Sequence, residues 1–188
     1  MSPMFTIPPP ATREQLADAV DRVHGDATAY WSSFDTPAFF AKLGDAWSPA
    51  DNVRHLVKSI RPVVKALRQP RLLLRFLFGR ARRDSLTFDA LRTRYLGALE
   101  AGGKAGAFGP SSRSESDLEA WRAEIMEQLA QQNRELRAAI AKWPEGSLDR
   151  LQLPHPLLGK LTVREMLFFT IYHQLHHVEV VQRRVAAA

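Results

Sequence analysis

The stretch Ser48-Pro49-Ala50-Asp51-Asn52-Val53-Arg54-His55-Leu56-Val57-Lys58-Ser59-Ile60-Arg61-Pro62-Val63-Val64-Lys65-Ala66-Leu67 decides the fold class. It opens as a helix does, with a serine to cap it, a proline in the first turn and an acid at the third position. Pro70 bounds its far end. At about 100° per residue, the positions between sort into three strips. Val53, Leu56, Val57, Ile60, Val64 and Leu67 are apolar, whereas Arg54, Lys58, Arg61, Lys65 and Arg68 are basic. His55 falls with Asn52, Ser59, Pro62 and Ala66, which are small or uncharged. An apolar stripe of this width is stable only when covered by neighbouring helices.

Three further segments read the same way. Thr12, with Gln15 three residues on, predicts a capped helix whose stripe is Leu16, Val20, Val23, Ala27, Tyr30 and Phe34. A third long helix starts near Ser114 with Asp117, carries Leu118, Trp121, Ile125, Leu129, Leu136 and Ile140, and stops before Pro144. The last opens at the capping box Thr162-Val163-Arg164-Glu165 and runs almost to the C-terminus. The region 70–113 is less regular. It holds an apolar-basic stretch, a short helix over about 85–99 and a glycine-rich loop over 102–109 that lacks the spacing of a phosphate-binding loop. No run alternates as a strand would. The expectation is an all-α single domain over 1–188, a four-helix bundle with its core over 12–184 and a long basic insertion over 70–113 between the second and third long helices.

Composition narrows the function. A length of 188 residues, 45% hydrophobic and 24% charged, suits one globular domain and disfavours disorder. The absence of cysteine excludes disulfides, thiolate-bound zinc, iron–sulfur clusters and a cysteine nucleophile. Residues 1–10 show neither a basic nor an apolar leader region, and the apolar run 72–78 is broken by Arg75 and too short to span a bilayer. A soluble, cytoplasmic protein is expected. The net charge of +6 is local: residues 54–83 carry ten Lys/Arg and no acid, which leaves 16 basic against 20 acidic residues elsewhere, or −4. That distribution makes nucleic acid an unlikely partner for the fold as a whole.

Three of the six histidines fall in Tyr172-His173-Gln174-Leu175-His176-His177. Residues four apart share a helix face, so His173 and His177 can present nitrogens to one metal ion. The strip through His173 also holds Met166, Thr170, Val181 and Arg184, and it is less polar than the strip of His176. Two imidazoles four apart on a helix are more often a partly buried, hydrogen-bonded pair than a metal site, and a catalytic metal normally takes three protein ligands. His55 is the one other histidine inside a strongly predicted helix, and taken alone its strip favours a rim position. His155, between Pro154 and Pro156, reads as a loop residue, and His24 as structural or exposed. Asp51, four residues before His55, either orients that histidine or only caps its helix. Glu165 is read as a cap.

The segment Trp47-Ser48-Pro49-Ala50-Asp51-Asn52-Val53-Arg54-His55-Leu56 resembles the Trp-Ser/Thr…His-Leu motif of DinB-like (YfiT-like) proteins. The segment 155–165 followed by His173-x-x-x-His177 resembles the start of that family's last bundle helix and its paired histidines. The resemblance spans about 12–184. It implies a four-helix bundle with a three-histidine metal site at His55, His173 and His177. It further implies a metal-dependent hydrolase, or a transferase using a low-molecular-weight thiol such as bacillithiol or mycothiol. The chain departs from the family in its basic insertion and in the acid many members carry shortly after the first histidine, where Val57, Lys58 and Ser59 stand.

Three imidazoles suit zinc, and also nickel, iron(II) or cobalt. A metal so held leaves a position open and would activate water or a thiol toward a small-molecule substrate. A different class of function rests on segment 54–83, where Leu72, Leu73, Leu74, Phe76, Leu77 and Phe78 interleave with the basic residues. Such a segment suits a non-catalytic module that contacts anionic lipid, nucleic acid or a partner protein. It also suits a solvated basic face over apolar residues that pack under the bundle or join two copies in a homodimer.

Overall fold

Thr12 accepts a hydrogen bond from the Gln15 amide, and the Gln15 side chain reaches back to the Thr12 backbone. From that capping box α1 (Arg13–Ser32) runs with Leu16, Val20, Val23, Ala27 and Trp31 buried. A short helix, α2 (Thr36–Phe40), leads to α3 (Pro49–Leu67), capped by Ser48 accepting from the Asp51 amide. The structure, a computed structural model, describes residues 7–110 and 115–187. The apolar-basic stretch forms α4 (Arg71–Phe78), and Thr87 caps α5 (Phe88–Glu100), three residues later than the sequence suggested. The third long helix is α6 (Leu118–Ala141). Its cap is Asp117, and Ser114 lies outside the described residues, as do 1–6 of the N-terminal segment. One turn, α7 (Glu145–Leu148), precedes a hairpin, and α8 (Val163–Val185) closes the fold.

The hairpin qualifies the all-α expectation. Strands β1 (Gln152–His155) and β2 (Gly159–Thr162) pair antiparallel, with His155 opposite Gly159 and Gln152 opposite Thr162. Four-residue strands with a proline in one of them leave too few positions to show alternation. Gly159 takes a positive φ of 73°, which places the chain for its return.

The four long helices form a ring in which α1 and α3 each pack against both α6 and α8. Helix α5 and the hairpin cover the outer side of α8, so this helix is central: Leu167, Ile171 and Val178 are fully buried, as are most of their neighbours. That is why its sequence is apolar around most of its circumference. Trp143 is buried beyond α6 and donates its indole N–H to the Leu67 carbonyl at the end of α3, 3.0 Å away. The bond satisfies one of the carbonyls that a helix C-terminus leaves open.

Glu165 does more than cap α8. Fully buried, its carboxylate accepts from the Thr162 amide at 2.8 Å, from the Leu86 amide at 2.7 Å and from both terminal nitrogens of Arg83. One side chain therefore ties the 70–113 region to the start of the last helix. The basic segment is likewise divided by its partners. Arg54 pairs with Asp51, Arg68 with Glu135 and Arg83 with Glu165, while Lys58 donates to the Gly109 carbonyl.

Candidate metal centre

Helix α3 packs on α8, and the strip of α3 that carries His55 faces the strip of α8 that carries His173 and His177. All three imidazoles are buried. The His173 Nε2 lies 3.1 Å from His55 Nε2 and 3.0 Å from His177 Nε2. Tetrahedral coordination with metal–nitrogen bonds of about 2.05 Å requires ligand nitrogens roughly 3.3 Å apart, so the spacing fits one ion with a small adjustment. Among the described residues this is the one group of three potential ligand side chains so arranged.

The surrounding hydrogen bonds fix which nitrogen of two rings carries the proton. His55 Nδ1 lies 2.9 Å from the Phe108 carbonyl, which can only accept, so Nδ1 donates and Nε2 holds a lone pair. The Asn52 amide nitrogen donates to the Ser48 carbonyl at 2.8 Å, which turns its oxygen toward His177 Nδ1 at 2.7 Å. His177 Nδ1 therefore donates too, and its Nε2 lone pair faces inward. Two lone pairs converge on His173 Nε2, and a proton there can satisfy only one of them. A cation at the centre satisfies them all. Burial holds His173 and His177 well below their ordinary pKa, reinforced by the neighbouring imidazoles, and burial likewise lowers His55. Neutral imidazole is the form that binds metal.

Asp51 does not orient His55. Its carboxylate pairs with Arg54 at 3.2 Å, because on a helix a residue three along is nearer than the far edge of an imidazole held by another element. The orienting carbonyl comes instead from the glycine-rich loop, where the turn Gly106–Phe108 packs on α3. Lys58, three residues after His55, fastens that loop by donating to Gly109 O at 2.8 Å.

The cluster opens on a cavity of about 410 Å³ lined by Trp47, Tyr95, Leu99, Phe108, Leu153, Leu157 and Phe169, with Lys104 also among the lining residues. Phe169 stacks on His173 with centroids 4.8 Å apart, and the Trp47 ring lies 5.2 Å from that of His55. His155 is not a free loop residue. Buried at the end of β1, it lines the cavity with its ring 4.2 Å from Phe169. Its Nδ1 accepts from the Leu157 and Leu158 amides at 3.2 and 3.0 Å, so the neutral ring carries its proton on Nε2. Burial lowers His155 to about 4, with the nearby Arg94 cation adding to it. His176 also lines the cavity, lowered to about 4 by burial and by Arg183. His24 is remote from the cluster on α1, with Nδ1 3.3 Å from the Thr28 hydroxyl.

Sequence reasoning passed over Asn52 and Phe108. Asn52 had a signal, since it lies three residues before His55 on the same uncharged strip. The Phe108 carbonyl had none, because a backbone acceptor 53 residues away leaves no trace in residue type.

A protein-family model described as the DinB superfamily matches residues 11–181, which takes in α1 and all but the last residues of α8. Among solved structures, one described as a four-helix bundle protein aligns with a TM-score of 0.57 at 18% identity, covering 92% of this chain and 99% of that chain. At that identity the likeness speaks for the fold alone. No curated protein matches the sequence. The family match spans nearly the whole chain and includes both helices that bring the histidines together: the chain belongs to the DinB superfamily.

Proposed function

We propose that His55, His173 and His177 hold one divalent transition metal, zinc by preference with nickel or iron(II) as alternatives, and that the chain is a metal-dependent hydrolase or a low-molecular-weight-thiol-dependent transferase. The observation that carries the reading is the convergence of three buried Nε2 atoms, two of them fixed as lone-pair donors by Phe108 O and Asn52 Oδ1. Such a metal lowers the pKa of a bound water or thiol, and so supplies hydroxide or thiolate near neutral pH.

The residues of the chain do the rest. Trp47, Phe108 and Phe169 exclude bulk water from the inner end of the cavity and offer an apolar wall to the substrate. His155 holds a proton on Nε2 and stays neutral at physiological pH, so it donates to a substrate oxygen and does not itself titrate there. Lys104 supplies a positive charge in the wall for a substrate carboxylate, such as that of a cytoplasmic thiol. Purified protein is expected to bind about one equivalent of metal by elemental analysis, and His173→Ala or His177→Ala to remove it. Failure to take up metal after loading with zinc or nickel would sink the proposal. A thiol-panel activity screen then separates transferase from hydrolase.

A further inference from the structure

Helix α4 presents a surface that the bundle leaves uncovered. It packs on β1 through Leu74, which is 1% exposed, with Phe78 half-buried beside it. Leu72, Leu73, Phe76 and Leu77 face away, at 75, 40, 85 and 54% exposure. At about 100° per residue these four span an arc of roughly 140°. Arg75 lies about 60° beyond one edge of that arc and Arg71 about 100° beyond the same edge, while Arg80 and Arg82 follow just past the end of the helix. All four arginines are exposed, and none has a side-chain partner among the described residues, in contrast to Arg54, Arg68 and Arg83.

A surface that is apolar across its arc and cationic along one edge and at its end calls for a partner that offers apolar and anionic groups side by side. A second copy of this chain does not fit. A two-fold contact sets the patch against itself, and α4 has no acidic residue to meet the arginines of a second copy. Four side chains on two turns are also far short of the roughly 20–30 residues a side found in stable interfaces. The surface of an anionic bilayer fits both features, with acyl chains for the leucines and phenylalanine and headgroups for the guanidiniums. We infer that α4 docks the protein on anionic membrane surfaces, lying in the plane of the interface. No helix among the described residues is long and apolar enough to cross a membrane, so the contact is peripheral. Phe78, on the opposite face of α4, lines the cavity, so docking would leave the thickness of the helix between the lipid and the cavity. The docking does not depend on the metal reading.

The test is flotation with vesicles of phosphatidylcholine mixed with phosphatidylglycerol, against vesicles of phosphatidylcholine alone, using the full chain. Binding is expected to be roughly tenfold or more stronger to the mixed vesicles and to weaken with salt. Leu72→Ser with Phe76→Ser should reduce it by at least about tenfold. Arg75→Gln with Arg80→Gln and Arg82→Gln should remove most of its salt dependence. These positions are exposed, so thermal melting should stay unchanged and verifies folding. Three outcomes would overturn the inference: no preference for the anionic vesicles, binding indifferent to the serine substitutions, or a dimer in sedimentation that those substitutions dissolve. Duplex DNA binding as tight as vesicle binding and insensitive to the serine substitutions would also overturn it.

Discussion

Asn52 is the residue on which the geometry of His177 turns. Its amide nitrogen is committed to Ser48 O and its oxygen to His177 Nδ1, so both ends are specified by their neighbours. Replacement by alanine leaves His177 free to rotate and to place its proton on either nitrogen. Outer hydrogen-bond partners of this kind are typically worth about 10–100-fold in metal affinity. Asn52→Ala should therefore weaken zinc binding by that factor in a chelator competition, without abolishing its stoichiometry. His155 makes a second prediction at the same scale, set by protons. Its ordinary value is 6.5 and the folded value is about 4, so the unfolded chain takes up the proton first as pH falls. Folding is then favoured fully above pH 6.5 and loses this contribution as pH falls from 6.5 toward 4. For a group this buried the loss is at most about 3 kcal/mol. With chelator present, urea midpoints of His155→Gln should fall less steeply than wild type between pH 7 and pH 4.5, and an unchanged slope would refute the assignment.

Elements differ in how much of their stability is local. Both capping boxes, Thr12 with Gln15 and Thr162 with Glu165, were legible because a cap is written within four consecutive residues. The helix around His55 was legible for the same reason, and so was the pairing of His173 with His177 on one face. What the 70–113 region does was not. Arg83 reaches Glu165 across 82 residues, and no composition or period records that partner. The hairpin was missed because its strands are shorter than the window in which alternation can be seen, and α4 because two turns are too few to establish a helical period. Arg83→Ala tests the tie between region and bundle. It leaves a buried carboxylate with two amide donors but no cation, a change that costs 3–5 kcal/mol in fully buried pairs. Arg83 is 40% exposed, so water compensates in part, and a loss of about 2 kcal/mol in urea unfolding is expected. Metal stoichiometry should be untouched.

At the scale of the whole molecule, the histidine cluster joins the second and fourth long helices of the ring. His55 and His173 are 118 residues apart in the chain and 3.1 Å apart at their Nε2 atoms. The unfolded chain holds no such arrangement, so an ion at this site binds the folded state alone and stabilises it by mass action. At a free metal concentration one hundred times Kd the gain is about 2.7 kcal/mol. For a domain of this length each kcal/mol raises Tm by roughly 2–4 °C, which gives a rise of about 5–10 °C with saturating zinc. The three nitrogens sit between α3 and α8, and removing one ligand from α8 leaves too few to bind tightly. The rise should therefore vanish in His173→Ala when its zinc-loaded melting is read against the metal-free melting of the same variant. A zinc-induced rise that survives in His173→Ala would place the stabilising ion elsewhere and separate the fold from the proposed centre.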